Sequence, residues 1–190
     1  MLKGIDRPAC EPFAVNAPAS TLITQRLILR NLTREDAPAL AQILGDPEVM
    51  RFSVRGVMSE RDTRAFIEHC QASYQTQGFG PWAVIERSSS TLLGFCGLNA
   101  ERVDGADEIE LGYRLAPEWW GKGLATQAAH AALSHSFDVL KLKAVIAIVE
   151  PANVASVRVI QKLGFEHYVH SQYHRRGVRI YRMTAQEWAG

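Results

Sequence analysis

The chain has 190 residues, of which 47% are hydrophobic and 22% are charged, and its formal net charge is +1. This length and composition are typical of one folded domain and exclude a disordered or fibrous protein. A nearly neutral chain has no general attraction for nucleic acid, so we expect no direct nucleic-acid binding.

The sequence also bears on location. No stretch is apolar over the length that a membrane-spanning helix needs, so no membrane association is expected. Charged residues and a proline interrupt any secretory leader near the N-terminus, at Asp6, Arg7, Pro8 and Glu11. The three cysteines have no CxxC spacing, which favours reduced thiols: Cys10, Cys70 and Cys96. A cytoplasmic protein is predicted.

The first part of the chain predicts an irregular arm and then a folded domain. Residues 1–20 contain three prolines and no hydrophobic period, whereas residues 21–190 are predicted to form a single domain. The domain begins with a strand over residues 21–32 that has one polar face. A helix follows from Thr33, or from Asp36 because a proline belongs in the first turn, and it ends before Gly45.

A second helix and a meander of strands come next. Ser59 is a favourable N-cap for a helix that Gly78 ends near Gln77, after an irregular stretch over residues 49–58. Strand-like runs then recur between short polar turns, which predicts antiparallel pairing. They cover residues 81–87, 92–100 and 108–115.

The pattern changes in the last third of the chain. Residues 123–137 predict a helix rich in small side chains, and residues 143–149 a buried strand. A helix over residues 153–163 ends at Gly164, and a final hairpin pairs residues 166–173 with 178–184. This order predicts a mixed α/β architecture.

The turn before the third helix is rich in glycine. Gly121 and Gly123 let the backbone approach a ligand without a Cβ, and the helix start at Leu124, Ala125 and Thr126 offers unpaired N–H groups. Such a turn binds anions, most often phosphate. A dinucleotide loop would need glycine where Thr126 stands, and no GxxxxGK[ST] segment occurs, so both nucleotide loops are disfavoured.

Residues 120–125 (WGKGLA) resemble the pyrophosphate loop of the GNAT acetyltransferase superfamily, Gln/Arg-x-x-Gly-x-Gly/Ala, with Trp120 at the first position. That replacement is common in the branch of RimJ/RimL-type ribosomal-protein N-acetyltransferases. Four more segments resemble motifs of this branch in the same order: 24–30 (TQRLILR), 110–115 (ELGYRL), 153–156 (NVAS) and 162–165 (KLGF). The resemblance covers residues 22–184.

The resemblance implies the GNAT fold, a mixed and mostly antiparallel central sheet flanked by helices and splayed at the acetyl-CoA site. It implies acetyl transfer from acetyl-CoA to a primary amine, in this branch a protein N-terminal α-amine such as that of a ribosomal protein. No metal is expected, and the chain is expected to be a monomer or a homodimer. The matched positions for acetyl-CoA contact are Leu115, Gly121, Lys122, Gly123, Leu124, Ala125, Thr126 and Asn153. Lys122 reaches a phosphate or is a solvated loop charge, and Asn153 is also a natural helix N-cap.

Two residues are candidates for proton transfer. Glu110 occupies the matched position of a catalytic base, and strand alternation places it on a polar face with Glu108, the alternative base. The resemblance makes Ser156 the proton donor to the departing thiolate, because Ile160 stands where many GNAT enzymes have a tyrosine. Departure without an acid is the alternative, since a thiol pKa is about 8.5.

Other interpretations remain open at this point. The acceptor is alternatively a small amine, such as an aminoglycoside or polyamine, or the chain is a non-catalytic acyl-CoA-binding sensor. Three aromatic residues either line the acceptor groove or belong to the core: Phe52, Tyr74 and Trp82. The six histidines have no metal-ligand spacing and are expected on the surface.

Overall fold

The computed structural model describes residues 21–190, so the arm predicted over residues 1–20 lies outside the described residues. Eight strands form one sheet. They are β1 (Leu22–Ile23), β2 (Leu27–Asn31), β3 (Pro81–Glu86), β4 (Leu92–Val103), β5 (Ala106–Leu115), β6 (Ala144–Val149), β7 (Tyr168–Tyr173) and β8 (Arg176–Thr184). The helices are α1 (Ala37–Leu44), α2 (Glu60–Gln77), α3 (Leu124–Ser134), α4 (Val154–Lys162) and α5 (Ala185–Ala189).

The strands are ordered β1-β2-β3-β4-β5-β6-β8-β7 across the sheet. Every neighbouring pair is antiparallel except β5 and β6, which are parallel because α3 connects them across the sheet. The predicted mixed, mostly antiparallel sheet flanked by helices is therefore confirmed.

Helices cover both faces of the sheet. On one face, α1 and α2 bury a cluster that includes Leu40, Ile67 and Ala83. On the other, α3 and α4 bury a larger cluster that includes Leu111 and Ala128. β5 therefore contributes its odd-numbered apolar side chains to the α3 side and turns its even-numbered side chains toward the α1–α2 side.

The predicted helix ends are confirmed where a side chain or a glycine determines them. Ser59 caps α2 by accepting the Asp62 N–H. At the end of α4, Gly164 has φ 88°, its N–H donates to the Gln161 carbonyl, and the Phe165 N–H donates to the Ile160 carbonyl. This is a Schellman motif.

Four predicted elements were wrong in extent. The strand over residues 21–32 is two antiparallel strands, because a turn at residues 24–26 closes when the Thr24 hydroxyl accepts the Leu27 N–H. β4 and β5 are longer than predicted, since Asp104 and Gly105 both have positive φ and form a two-residue hairpin turn. The helix predicted over 123–137 is α-helical only to Ser134 and becomes π-helical at His135–Val139. The short C-terminal helix α5 was not predicted.

Within residues 21–190, no helix combines the length and the apolar character needed to cross a membrane.

A partly buried ion pair joins β2 to the residue before α1. Arg30 donates to both carboxylate oxygens of Asp36 at 2.8 and 2.7 Å, and the Thr33 N–H donates to the same carboxylate at 2.8 Å. Asp36 is only 7% exposed. Burial alone would raise the pKa of Asp36, but the Arg30 and Thr33 hydrogen bonds outweigh burial and hold that pKa below its usual value.

Asp36→Ala is expected to lower the free energy of unfolding by about 2 kcal/mol, because it leaves Arg30 and the Thr33 amide without their partner. Denaturant unfolding at pH 7 measures the loss. The matched control is Glu68→Ala, which breaks the exposed Arg34–Glu68 pair and should cost much less.

The difference in stability between the wild type and Asp36→Ala should also depend on pH. Because the folded pKa of Asp36 is depressed, the extra stability of the wild type is present above the unfolded pKa and disappears as pH falls through the folded pKa. Equal losses in the two variants would refute this assignment.

Candidate active site

A gap between β5 and β6 organises the site. The two parallel strands are joined at one position, Glu110 opposite Ile146, and no further partners continue the ladder. Beyond it, β5 runs on to Leu115 against β4, and β6 runs on to Val149 against β8. The strands therefore splay from a vertex at Glu110, and the backbone of β5 beyond the vertex is unpaired on its β6 side.

Strand alternation assigns the two faces of β5. Leu111 and Leu115 are buried under α3 and α4. Glu110, Gly112 and Arg114 line a cleft of about 150 Å³ on the opposite face, as the alternation predicts. The same face of β4 adds side chains from Phe95, Asn99 and Glu101.

The remaining walls of the cleft come from three other elements. The segment between α1 and α2 contributes Phe52 and Arg55, and α2 contributes Phe66. The β7–β8 hairpin contributes Tyr173 and Arg176. Arg176 is paired with Glu150 at 2.6 Å, and the Tyr173 hydroxyl donates to Glu101 at 2.8 Å.

Glu110 is largely buried at the vertex of the gap. Burial, with a smaller contribution from the negative charge of Glu101, raises the pKa of Glu110 to about 7, although the nearby Arg114 opposes the rise. A carboxyl group with this pKa exchanges protons near neutral pH, as a general base must. Glu108, the alternative base, is instead paired with Arg182 and lies outside the cleft.

The glycine-rich turn lies at the end of β5 and opens α3. Gly121 and Gly123 have φ 71° and 74°, a region that favours glycine, and a Cβ at Gly121 would meet no atom within 4 Å. No side chain caps α3, so the N–H groups of Leu124, Ala125 and Thr126 have no partner within the helix. The turn thus has the free donors and the conformation of an anion site.

Two tryptophans shape this turn. The Trp120 indole N–H donates to the carbonyl of Leu115 at 2.7 Å, which ties the turn to the end of β5. The Lys122 ammonium lies over the Trp119 ring, 4.7 Å from its centre. Lys122 is exposed there, within the turn.

Arg26 is a site residue that the sequence analysis did not single out. It lies in the turn between β1 and β2, and its Nη1 donates to the carbonyl of Lys122 at 3.0 Å. Its other terminal nitrogen would be 3.7 Å from a Cβ on Gly123. An exposed guanidinium therefore adjoins the free N–H groups of α3. The arginine was visible in the 24–30 motif, but nothing in the sequence connects it to a turn 96 residues away.

The start of α4 faces β5 across the gap. Asn153 caps α4 by accepting the Ser156 N–H at 3.2 Å, so its predicted capping role is confirmed. The Tyr113 hydroxyl donates to the Ser156 carbonyl at 3.4 Å, which connects β5 to the first turn of α4. Ser156 is thus held at the gap by contacts on both of its backbone groups.

One expected location was wrong, because His135 is buried, and the three aromatic residues left open between cleft and core divide between them. Trp82 is in the core with its ring edge against buried His135, which is one histidine that is not on the surface. Tyr74 is tied to the Pro81 carbonyl and the Leu32 N–H, so of the three aromatic candidates only Phe52 lines the cleft. Cys70 and Cys96 are buried free thiols, and Cys10 lies outside the described residues. Within residues 21–190, no group of three or more potential metal-binding side chains is found.

Comparison with known proteins agrees with this geometry. Residues 26–166 match the family model of the acetyltransferase (GNAT) domain. The uncharacterized N-acetyltransferase p20 of Bacillus licheniformis is 33% identical over 151 residues, covering 77% of this chain and 82% of p20. The spermidine N(1)-acetyltransferase of Escherichia coli is 36% identical over 74 residues, which cover 35% of this chain and 39% of that enzyme.

The fold is also found among solved structures. An acetyltransferase (GNAT family) from Bacillus anthracis superposes with a TM-score of 0.74 at 26% identity, covering 88% of this chain and 99% of that one. With a family model that matches most of the chain and relatives of this similarity, the chain belongs to the GNAT family of acetyl-CoA-dependent N-acetyltransferases.

Proposed function

We propose that the chain acetylates a primary amine bound in the cleft, with Glu110 as the catalytic base, and that the preferred acceptor is a protein N-terminal α-amine. The observation that carries the proposal is the position of Glu110. Its carboxyl group lies at the vertex of the β5–β6 gap, faces the cleft, and has a pKa raised to about 7.

The glycine-rich turn fits the pyrophosphate of acetyl-CoA. Backbone donors at Leu124, Ala125 and Thr126 and the glycine conformations at 121 and 123 suit two adjacent phosphates. Lys122 and Asn153 lie at the same end of the gap and are proposed further contacts, together with the backbone of Leu115. Acetyl-CoA supplies the activated acetyl group as a thioester. The gap passes through the sheet between this turn and the cleft, which gives the acetyl group a route to the acceptor.

The chemistry of the acceptor favours an α-amine. An α-amine has a pKa of about 7.7–8.0 and a lysine side chain about 10.4. A base with a pKa near 7 can therefore take the proton of an α-amine at little cost, whereas deprotonating a lysine amine at neutral pH costs about 4–5 kcal/mol. Glu110 accepts that proton directly or through water.

Ser156 is the proposed proton donor to the departing thiolate. Its backbone is fixed by the Asn153 cap and by the Tyr113 hydroxyl at the mouth of the gap. A thiol with a pKa of about 8.5 also leaves without an acid at modest cost. Ser156 is accordingly expected to assist the reaction less than Glu110 does.

A small polyamine is the second candidate acceptor, because part of the chain is similar to a spermidine N(1)-acetyltransferase. Purified protein and acetyl-CoA would be tested against peptides with free N-termini, the same peptides with blocked N-termini and an internal lysine, spermidine, and an aminoglycoside. The proposal expects acetylation of the free N-termini, located by mass spectrometry. Acetylation of spermidine but of no peptide would replace it with the polyamine alternative.

Glu110→Gln is expected to lower kcat/KM by about 100-fold at pH 7.5, the usual contribution of a general base. In the wild type, activity should fall as pH drops below about 7, because the base is active only when deprotonated and burial raises its pKa to about 7. The activity of the variant should not show this fall, and its pH dependence should follow only the titration of the amine. A pH series of initial rates measures both effects. An unchanged rate would refute Glu110 as the base, whereas acetyl-CoA binding without acetylation by either protein would favour a non-catalytic acyl-CoA-binding sensor.

The stability of the same variant is its folding control. Because the pKa of Glu110 is raised in the folded state, the charged carboxylate opposes folding above the unfolded pKa. Glu110→Gln should therefore be more stable than the wild type at pH 8, by up to about 3 kcal/mol, and this advantage should disappear below pH about 4. A lower rate together with a higher melting temperature excludes unfolding as the cause of lost activity.

Arg26→Ala is expected to raise KM for acetyl-CoA roughly tenfold, because it removes a cation beside the phosphate turn and a hydrogen bond to Lys122. With S-acetylpantetheine, which lacks the pyrophosphate, the variant should differ little from the wild type. Arg87→Ala is the matched control, since Arg87 donates to the carbonyls of Thr24 and Gln25 in the turn that carries Arg26. An equal loss with both thioesters would contradict a phosphate contact.

A further inference from the structure

Arg114 is a charged group of the cleft that the proposed chemistry does not use. It follows Glu110 on the same face of β5 and lines the same cleft. Its Nη1 donates to the carbonyl of Tyr113 at 2.7 Å. Among residues 21–190, no carboxylate lies within ion-pair distance of it, although six other arginines form such pairs.

The surroundings of Arg114 are unfavourable for an isolated cation. Arg114 is half-buried, and burial lowers the pKa of its guanidinium, while the more distant Glu110 partly compensates. Phe95 is its register partner on β4 and packs against Phe66, so the neighbouring walls are aromatic. Buried charges in folded proteins are normally paired, and arginine prefers planar carboxylates. The missing partner is a group that enters the cleft.

The floor between Glu110 and Arg114 is open. Gly112 lies between them on the same face and has no side chain. A Cβ there would come within 3.3 Å of the Asn99 carboxamide, which lies beside this floor. A small acceptor resting over Gly112 would reach the carboxyl group of Glu110 at one end and the guanidinium of Arg114 at the other, with an amide between them.

The other charged groups of the cleft are paired, hydrogen-bonded or exposed to solvent. Arg55 lines the cleft without an ion-pair partner among residues 21–190, but its side chain is exposed, so water can solvate its charge. Glu150 is neutralised by Arg176, and Glu101 accepts the Tyr173 hydroxyl. Two carboxylates, Glu101 and Glu110, therefore stand at the end where the amine is expected, and Arg114 stands at the other. This arrangement is complementary to a molecule that carries both an amine and an anionic group.

We propose that the acceptor carries a carboxylate close to its reactive amine, and that Arg114 binds that carboxylate while the amine lies at Glu110. This rests on the proposed function and deepens it by naming the acceptor class. The carboxylate belongs either to a free amino acid or to the acidic side chain of an N-terminal residue. A polyamine has no group for Arg114 and is a poor acceptor on this account.

The experiment compares acceptors in isosteric pairs, with the full chain and acetyl-CoA. One pair is alanine and alaninamide, which tests the α-carboxylate of a free amino acid. The other is two peptides that begin with Asp or with Asn, which tests an acidic N-terminal side chain. In at least one pair, the wild type should prefer the acid by roughly 30-fold in kcat/KM, the effect of one buried charge pair. The pair that shows the preference identifies the source of the carboxylate.

Variants at Arg114 test whether this residue recognises the acceptor carboxylate or only supports the local structure. Arg114→Gln should reduce the preference to within about threefold, mainly through KM for the acidic member, and Arg114→Lys should retain part of it. Arg182→Gln, which removes an arginine outside the cleft, should keep the preference. Acetyl-CoA binding by calorimetry checks that each variant is folded.

The outcomes distinguish a failure of the carboxylate inference from a failure of the proposed N-acetyltransferase function. Acetylation of acid and isostere at equal rates by the wild type overturns the carboxylate inference and leaves the N-acetyltransferase proposal standing. An equal loss for both members in Arg114→Gln also overturns it, because Arg114 would then only support the Tyr113 carbonyl or the thioester. Acetylation of no amine, spermidine included, by protein that binds acetyl-CoA counts against the proposed function itself.

Discussion

The separation of β5 from β6 is the constraint on which the rest of the site depends. Each strand satisfies its backbone elsewhere: β5 pairs with β4 along its whole length, and β6 pairs with β8 from end to end. When the sheet opens between β5 and β6, each strand therefore keeps a hydrogen-bonded partner on its other side. Only the backbone groups that face the gap are unpaired. One parallel contact at Glu110 holds the halves together and fixes the vertex of the gap. Everything proposed for catalysis is arranged around that vertex, with the glycine-rich turn at one side and the cleft at the other.

The vertex also accounts for the unusual properties of Glu110. A carboxyl group at the middle of a sheet has little access to water, and its neighbour Glu101 adds a like charge, so the pKa of Glu110 rises to about 7. The same burial destabilises the folded protein wherever Glu110 is charged. A carboxylate at this position lowers the stability of the fold. Perturbed pKa values of this kind are typical of functional sites. Arg114 lines the same cleft and has no ion-pair partner among residues 21–190, so two half-buried charged groups without ion pairs share one small volume.

The sequence predicted the features that depend on local chemistry. Glycines and capping residues marked the ends of α2 and α4, and alternation along residues 108–115 gave the correct faces of β5. What it could not supply was contact between distant segments. Arg26 was read as part of a strand because the turn at residues 24–26 is recognisable only once β1 folds back on β2. Its contact with Lys122, the pairing of Glu108 with Arg182 and the burial of His135 all depend on tertiary packing that no local pattern encodes.

The two faces of β5 have different surroundings, since one packs in the core and the other lines the cleft. The odd-numbered residues anchor the strand in the core, and Tyr113 reaches α4 from that side. The even-numbered residues Glu110, Gly112 and Arg114 meet the acceptor cleft, so a single strand would position the base, the floor and the anion partner at intervals fixed by its two-residue repeat. A side chain at position 112 would crowd Asn99 and divide the cleft between the two charges. Under the proposed function, selectivity for the acceptor depends on the distance between the amine and the carboxylate of the acceptor, because the strand fixes the distance between Glu110 and Arg114.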